Sequence, residues 1–207
     1  MILITLGMSA LAFCIGGIPW CWLAVYFFAR GPDGKRLDLR DIGTGNVGAS
    51  NAMEFLGVQW YLPLIAIDAS KSILAVNIAI LLEMPSDTIA ISTFMAVLGH
   101  CYPVYLKFKR GKGVSCTLGA LAAFGMWHPA MSWSLIVFLM VAGLSRRPSL
   151  GILIATTTML AMAIFKAQHP LVISMITALV WFQFRANIVR LIQGKEPPYS
   201  RGGTTRT

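Results

Sequence analysis

Residues 57–82 read GVQWYLPLIAIDASKSILAVNIAILL, an apolar run whose only charged residues are Asp68 and Lys71. An α-helix rises about 1.5 Å per residue, so roughly 20 apolar residues cross the ~30 Å hydrocarbon core of a bilayer. The run is long enough to do so. Asp68 and Lys71 are three residues apart and share one helical face. A charge at the centre of an inserted helix costs roughly 2.5–3.5 kcal/mol on insertion scales, so both are expected to face the protein interior. Their spacing leaves open whether they form an internal salt bridge that fixes packing or belong to a site.

Outward from this run, further apolar stretches lie near 3–28, 89–106, 114–127, 130–144, 150–166 and 171–184. The expected fold is all-α, a polytopic membrane protein of about seven transmembrane helices. The stretches at 114–127 and 130–144 are short for a span, and a hairpin that does not fully cross is the alternative for that pair. Residues 1–196 are expected to form a single membrane-embedded domain and 197–207 a flexible tail. The composition agrees: 57% hydrophobic and 12% charged residues, with a mean hydropathy of +0.71, do not suit a soluble fold. The N-terminus lacks the charged n-region and cleavage site of a signal peptide, so its first apolar run is expected to remain.

The net charge of +9 admits nucleic acid, anionic lipid or a small anion as partner, and its placement decides. Arg30, Lys35, Arg36 and Arg40 follow the first span, Lys107, Lys109, Arg110 and Lys112 the third, and Arg146 and Arg147 the fifth. Arg185, Arg190, Lys195, Arg201 and Arg206 follow the last. All of these fall on one side of the expected topology and Lys166 alone on the other. The positive-inside rule then puts the N-terminus outside and the C-terminus in the cytoplasm, and nucleic acid is not expected. Cys14, Cys21, Cys101 and Cys116 lie scattered in apolar runs without metal-ligand spacing. They are read as small core hydrophobes, with no metal and no cofactor implied.

Two connections on the basic side carry chemistry. Gly43-Thr44-Gly45-Asn46-Val47-Gly48-Ala49-Ser50-Asn51 gathers glycines, hydroxyls and amides, a composition that can wrap backbone N–H groups around an anion. It spells G-x-G-x-x-G, but no strand precedes it, which excludes the dinucleotide reading. Lys109-Arg110-Gly111-Lys112-Gly113-Val114 leads cations and glycine into a helix N-terminus, where the helix dipole favours an anion. Together the loops point to a phosphate-binding surface. His100, near the cytoplasmic end of its span, is read as a packing or hydrogen-bonding residue, or as part of the site.

These blocks, with Asp68-x-x-Lys71, Gly99-His100-x-Tyr102-Pro103, Arg185-x-Asn187-Ile188-x-Arg190-Leu191 and Gly194-x-Glu196-Pro197, resemble in order the bacterial acyl-phosphate:glycerol-3-phosphate acyltransferases, the PlsY family. The resemblance implies a seven-helix enzyme of the bacterial inner membrane with a cytoplasmic active site. It would transfer a fatty acyl group from acyl phosphate to the 1-hydroxyl of glycerol 3-phosphate, giving lysophosphatidic acid and phosphate. By position it implies catalytic roles for Thr44, Lys112 and Asn187. Substrate or phosphate binding falls to Gly43, Gly45, Asn46, Gly48, Ser50, Asn51, His100, Lys109, Gly111, Gly113, Arg146 and Ser149, and support to Asp68, Lys71, Arg190 and Glu196. Neither a His-x-x-x-x-Asp dyad nor a G-x-S-x-G elbow occurs. The chain departs from the family pattern at Glu54, usually arginine, at Phe184, usually histidine, and at Ser72, usually glycine. A divergent non-catalytic relative is the alternative that Glu54 and Phe184 favour. An anion or phosphate-ester transporter is another, although the two halves of the chain show no matching repeat.

Overall fold

The computed structural model describes residues 2–108, 111–125, 129–165 and 169–198. Among these the chain is all-helical: α1 (Ile2–Gly16), α2 (Trp20–Phe28), α3 (Ala49–Leu56), α4 (Tyr61–Leu81), α5 (Ser86–Cys101), α6 (Val114–Ala123), α7 (Pro129–Ser145), α8 (Pro148–Phe165), α9 (Pro170–Gln183) and α10 (Arg185–Ile192). An isolated bridge between Arg30 and Arg36 is the one β-type pairing among the described residues. The chain divides into two compact units, the first holding α1–α6 and the second α7–α10.

In the first unit α1, α4, α5 and α6 pack against one another. Lipid tails give apolar side chains no reason to turn inward, so helices in a bilayer associate by close approach of small residues. The interior follows this rule: Ala12, Ala75 and Ala96 form a buried cluster, while Leu3, Phe28 and Leu81 are exposed. A Cβ on Gly16 would overlap the Ala96 backbone, one on Gly99 the Phe13 carbonyl, and one on Gly119 the Ala69 backbone. In the second unit α8 packs against both α7 and α9. Pro148 and Pro170 open α8 and α9, a position where the missing N–H costs nothing.

The stretches Ile2–Phe28, Val58–Leu81, Ser86–Leu106 and Pro148–Phe165 are long and apolar enough to cross a bilayer. The pair α9 and α10 is a fifth if counted together, bent by 63° at Phe184. The expected spans at 114–127 and 130–144 appear as the shorter apolar helices Val114–Ala123 and Met131–Ser145. The first stretch is not the single helix expected over 3–28. Proline has no N–H to donate and its ring crowds the preceding turn, and the helix breaks between Gly16 and Trp20, around Pro19. Cys21, Cys101 and Cys116 are buried as expected, whereas Cys14 is exposed.

Candidate functional site

The glycine loop is built from its two ends. At its entry Arg40 grips Asp38 through Nε and Nη2, at 2.9 and 2.6 Å, and Trp22 donates to the same carboxylate at 2.9 Å. The Arg40 guanidinium holds the Asp38 carboxyl well below the usual carboxylate range. At its exit Asn51, buried on α3, donates to the carbonyls of Leu39, Ile42 and Asn46 and accepts from Thr44 N at 3.0 Å. One carboxamide thus stitches residues 39–46 into a fixed curl. Gly43 and Gly45 take left-handed φ values of 56° and 68°, which glycine adopts without a Cβ penalty. A Cβ at Gly43 would also strike the Asn51 side chain.

The curl leaves Thr44 exposed, its Oγ1 accepting weakly from Asn46 N at 3.4 Å. Gly48 caps α3, and Ser50 and Glu54, four residues apart on that helix, are exposed. Asn46 Oδ1 is buried without a partner among the described residues. An orphan acceptor suits a hydroxyl donor rather than a phosphate oxygen.

The second loop rests on the end of α5. Gly111 N donates to the Cys101 carbonyl at 3.3 Å, and a Cβ on Gly111 would sit 2.5 Å from His100 Nε2. Gly113 caps α6 with φ 78°, and no side chain caps this helix. Lys112, half-buried between the two glycines, stands at that N-terminus. Lys109 lies outside the described residues.

Beneath this loop is a buried ionic cluster. Lys71 Nζ lies 2.9 Å from Asp68 Oδ1 and donates to the Ile18 carbonyl at 2.6 Å. It thereby satisfies an acceptor at the break between α1 and α2. Cys21 donates to Asp68 Oδ2 at 3.3 Å, Cys116 to the Asp68 carbonyl at 3.1 Å, and His100 Nδ1 stands 3.8 Å from Asp68 Oδ1. Asp68 thus ties together α2, α4, α5 and α6, and through His100 the cluster backs Gly111. Asp68, His100 and Cys116 bring three potential metal-ligand atoms within 4.8 Å. Lys71 already supplies the cation that the carboxylate needs.

In the second unit Glu196 is the centre. Ser149 Oγ and Asn187 Nδ2 donate to its Oε1 at 2.6 and 2.7 Å, and Arg190 Nε to its Oε2 at 2.7 Å. Burial alone would raise its pKa, but the three donors outweigh it and hold the carboxyl below its ordinary value. Asn187 therefore has its amide orientation fixed. Arg146, with φ 54°, is exposed at the turn from α7 to α8. Phe184 is buried at the bend between α9 and α10.

Of the residues singled out in the sequence, the structure joins Gly43, Thr44, Asn46 and Asn51 in one curl. It joins Asp68, Lys71, His100 and Gly111 in one cluster, and Ser149, Asn187, Arg190 and Glu196 in one hub. Sequence reasoning missed Trp22, Asp38, Cys21 and Cys116. An Asp two residues before an Arg at the loop's entry was a readable signal for Asp38; the cysteines gave none.

Residues 6–194 match the family model described as glycerol-3-phosphate acyltransferase. Among curated proteins so named, that of Nitrobacter winogradskyi is 39% identical over 161 residues, 77% of this chain and 81% of its own length. That of Wolbachia pipientis wMel is 35% identical over 194 residues, 92% of this chain and 96% of its own. Among solved structures, the crystal structure of PlsY, an integral membrane glycerol 3-phosphate acyltransferase, in its glycerol 3-phosphate form is similar with a TM-score of 0.81 at 30% identity. The match covers 95% of this chain and 96% of the other. The lysophosphatidic acid form matches with a TM-score of 0.79 at 28% identity, over 95% of each chain.

Proposed function

The chain belongs to the glycerol-3-phosphate acyltransferase family, and we propose that it esterifies the 1-hydroxyl of glycerol 3-phosphate using an acyl phosphate as donor. It is an integral-membrane acyltransferase of phospholipid synthesis. The glycerol hydroxyl attacks the acyl carbonyl, a new C–O ester bond forms, and the bond from the carbonyl carbon to the phosphate oxygen breaks. The hydroxyl proton leaves with the phosphate. An acyl phosphate is a mixed anhydride with a good leaving group, so the protein's task is to position two anions and stabilise developing charge.

The observation that carries this reading is Lys112, held between Gly111 and Gly113 at the start of the uncapped helix α6. An ammonium beside helix N–H groups suits a phosphate. Thr44, exposed on its curl, supplies a hydroxyl with Gly43, Gly45, Asn46, Gly48 and Ser50 around it. Asn187, oriented by Glu196, supplies a carboxamide of fixed direction. Asn51, His100, Ser149, Asp68, Lys71, Arg190 and Glu196 act by holding these groups. Arg146 and Lys109 add positive potential.

The one-sided Lys and Arg placement supports an outside N-terminus and a cytoplasmic face for the basic loops, and the apolar runs together with the family resemblance support seven spans in a bacterial inner membrane. The test is an assay of purified protein with acyl phosphate and glycerol 3-phosphate, scoring phosphate and lysophosphatidic acid. Folded protein that yields neither overturns the reading.

A further inference from the structure

Gln183 ends α9 immediately before the 63° bend. It is only 7% exposed, and neither Nε2 nor Oε1 has a hydrogen-bond partner among the described residues. A carboxamide carries two N–H donors and an acceptor oxygen, and burial takes them away from bulk water. Such a group is retained at a cost unless something binds it. Its place along the chain says where that something sits. Asn187 follows one turn later, tied to Ser149 and Arg190 through Glu196. Helical hydrogen bonding runs through the bend, from Phe184 N to the Val180 carbonyl and from Ile188 N to the Phe184 carbonyl, each 2.9 Å. Gln183 therefore lies at the same end of the second unit as the hub.

We propose that Gln183 is a specificity-determining residue that reads the 2-hydroxyl of glycerol 3-phosphate, accepting a hydrogen bond from it at Oε1 and donating from Nε2 to an oxygen of the same molecule. The assignment rests on the acyltransferase reading above. The choice of ligand follows from the chemistry of the orphaned atoms. An ionised acyl phosphate offers acceptors only, which would satisfy Nε2 and leave Oε1 bare. Glycerol 3-phosphate offers hydroxyl donors as well. Its 1-hydroxyl is consumed in the reaction, so the 2-hydroxyl is the donor available throughout.

The test compares glycerol 3-phosphate with 1,3-propanediol monophosphate, which lacks only the 2-hydroxyl, in wild type, Gln183→Leu and Gln183→Met. A site built to hydrogen-bond a hydroxyl discriminates against the analogue that lacks it, because its own polar groups are left unpaired. Wild type is expected to favour glycerol 3-phosphate at least tenfold in kcat/KM, and both variants to reduce that preference to within about twofold. The KM for acyl phosphate stays within about twofold, and the substrate-free variants melt at or above the wild-type temperature because a buried unpaired amide has been removed. Melting is read from the helical circular dichroism of the whole chain.

A wild type without the preference, or variants that keep it, overturns the assignment. So does a lower melting temperature in both variants, which would make the amide a structural group. A wild type that makes no lysophosphatidic acid removes the acyltransferase reading and this one together. One that does so while the variants keep its preference removes this one alone.

Discussion

Replacing Lys71 by Met separates the two roles the sequence allowed for the intramembrane charges. Lys71 and Asp68 are each 3% exposed in their side chains and 2.9 Å apart, and Lys71 also donates to the Ile18 carbonyl at 2.6 Å. The substitution keeps most of the side-chain volume but leaves a buried carboxylate whose remaining close side-chain donor is the Cys21 thiol at 3.3 Å, and it leaves the Ile18 carbonyl at the α1–α2 break with the Trp20 N–H, at 3.1 Å, in place of two donors. Removing one partner of a buried pair costs about 3–5 kcal/mol. Asp68→Asn leaves a buried ammonium and costs a comparable amount. The double variant removes both charges, so it should be more stable than the sum of the single losses by about 1–3 kcal/mol. The assay is unfolding of detergent-solubilised protein across a denaturant series, read by dye labelling of the buried cysteines. Single losses that add to within about 0.5 kcal/mol in the double variant would refute the account of a coupled packing pair.

The remaining predictions concern the loops and the hub. Lys112→Ala should lower kcat/KM for glycerol 3-phosphate at least tenfold, about 1.4 kcal/mol, and unchanged constants would remove Lys112 from the site. Asn51→Asp should damage activity more than Asn51→Ala, because a carboxylate would face the carbonyls of Leu39, Ile42 and Asn46 that now accept from the amide. Equal losses in initial rate would contradict that. Glu196 has a lowered folded pKa, so its stabilising contribution is present above its unfolded value near 4.3 and is lost as pH falls through the folded one. Melting temperatures from pH 7 to pH 3 should therefore fall for wild type on the acid side, and Glu196→Gln should flatten that fall while lowering the plateau. A variant that parallels wild type through the acid range would count against the hub.

What the sequence made legible and what it hid differ by the range of the forces involved. Apolar length is a local property, so the stretches 57–82, 89–106 and 150–166 could be read directly, and they contain helices long enough to cross a membrane. The break at Pro19 was also written in the chain, as Gly16-Gly17-Ile18-Pro19, but the total apolar length across it masked the signal. The side-chain partner of the Ile18 carbonyl, Lys71, is 53 residues away, and no local pattern announces such a contact. The same holds for Cys21 and Cys116, which read as filler because cysteine is as often a small hydrophobe as a donor, and which the fold sets on Asp68.

The loops show the reverse case, in which the residue type was legible and the division of labour was not. Thr44 and Asn51 sit in one block of nine residues and look equally suited to a ligand. The folded curl gives the carboxamide of Asn51 four backbone partners and leaves the Thr44 hydroxyl exposed with one weak contact, so one residue shapes the loop and the other faces outward from it. Glu196 divides its neighbours the same way, fixing Ser149, Asn187 and Arg190 through a single carboxylate. A motif marks which residues a site requires, whereas the hydrogen bonds already satisfied within the protein decide which of them remain to meet a substrate. By that criterion the pair at the end of α9 divides too. Phe184, where the family resemblance leads one to expect histidine, fills the bend with buried apolar volume, and hydrogen-bonding capacity without a partner among the described residues stands one position earlier, at Gln183.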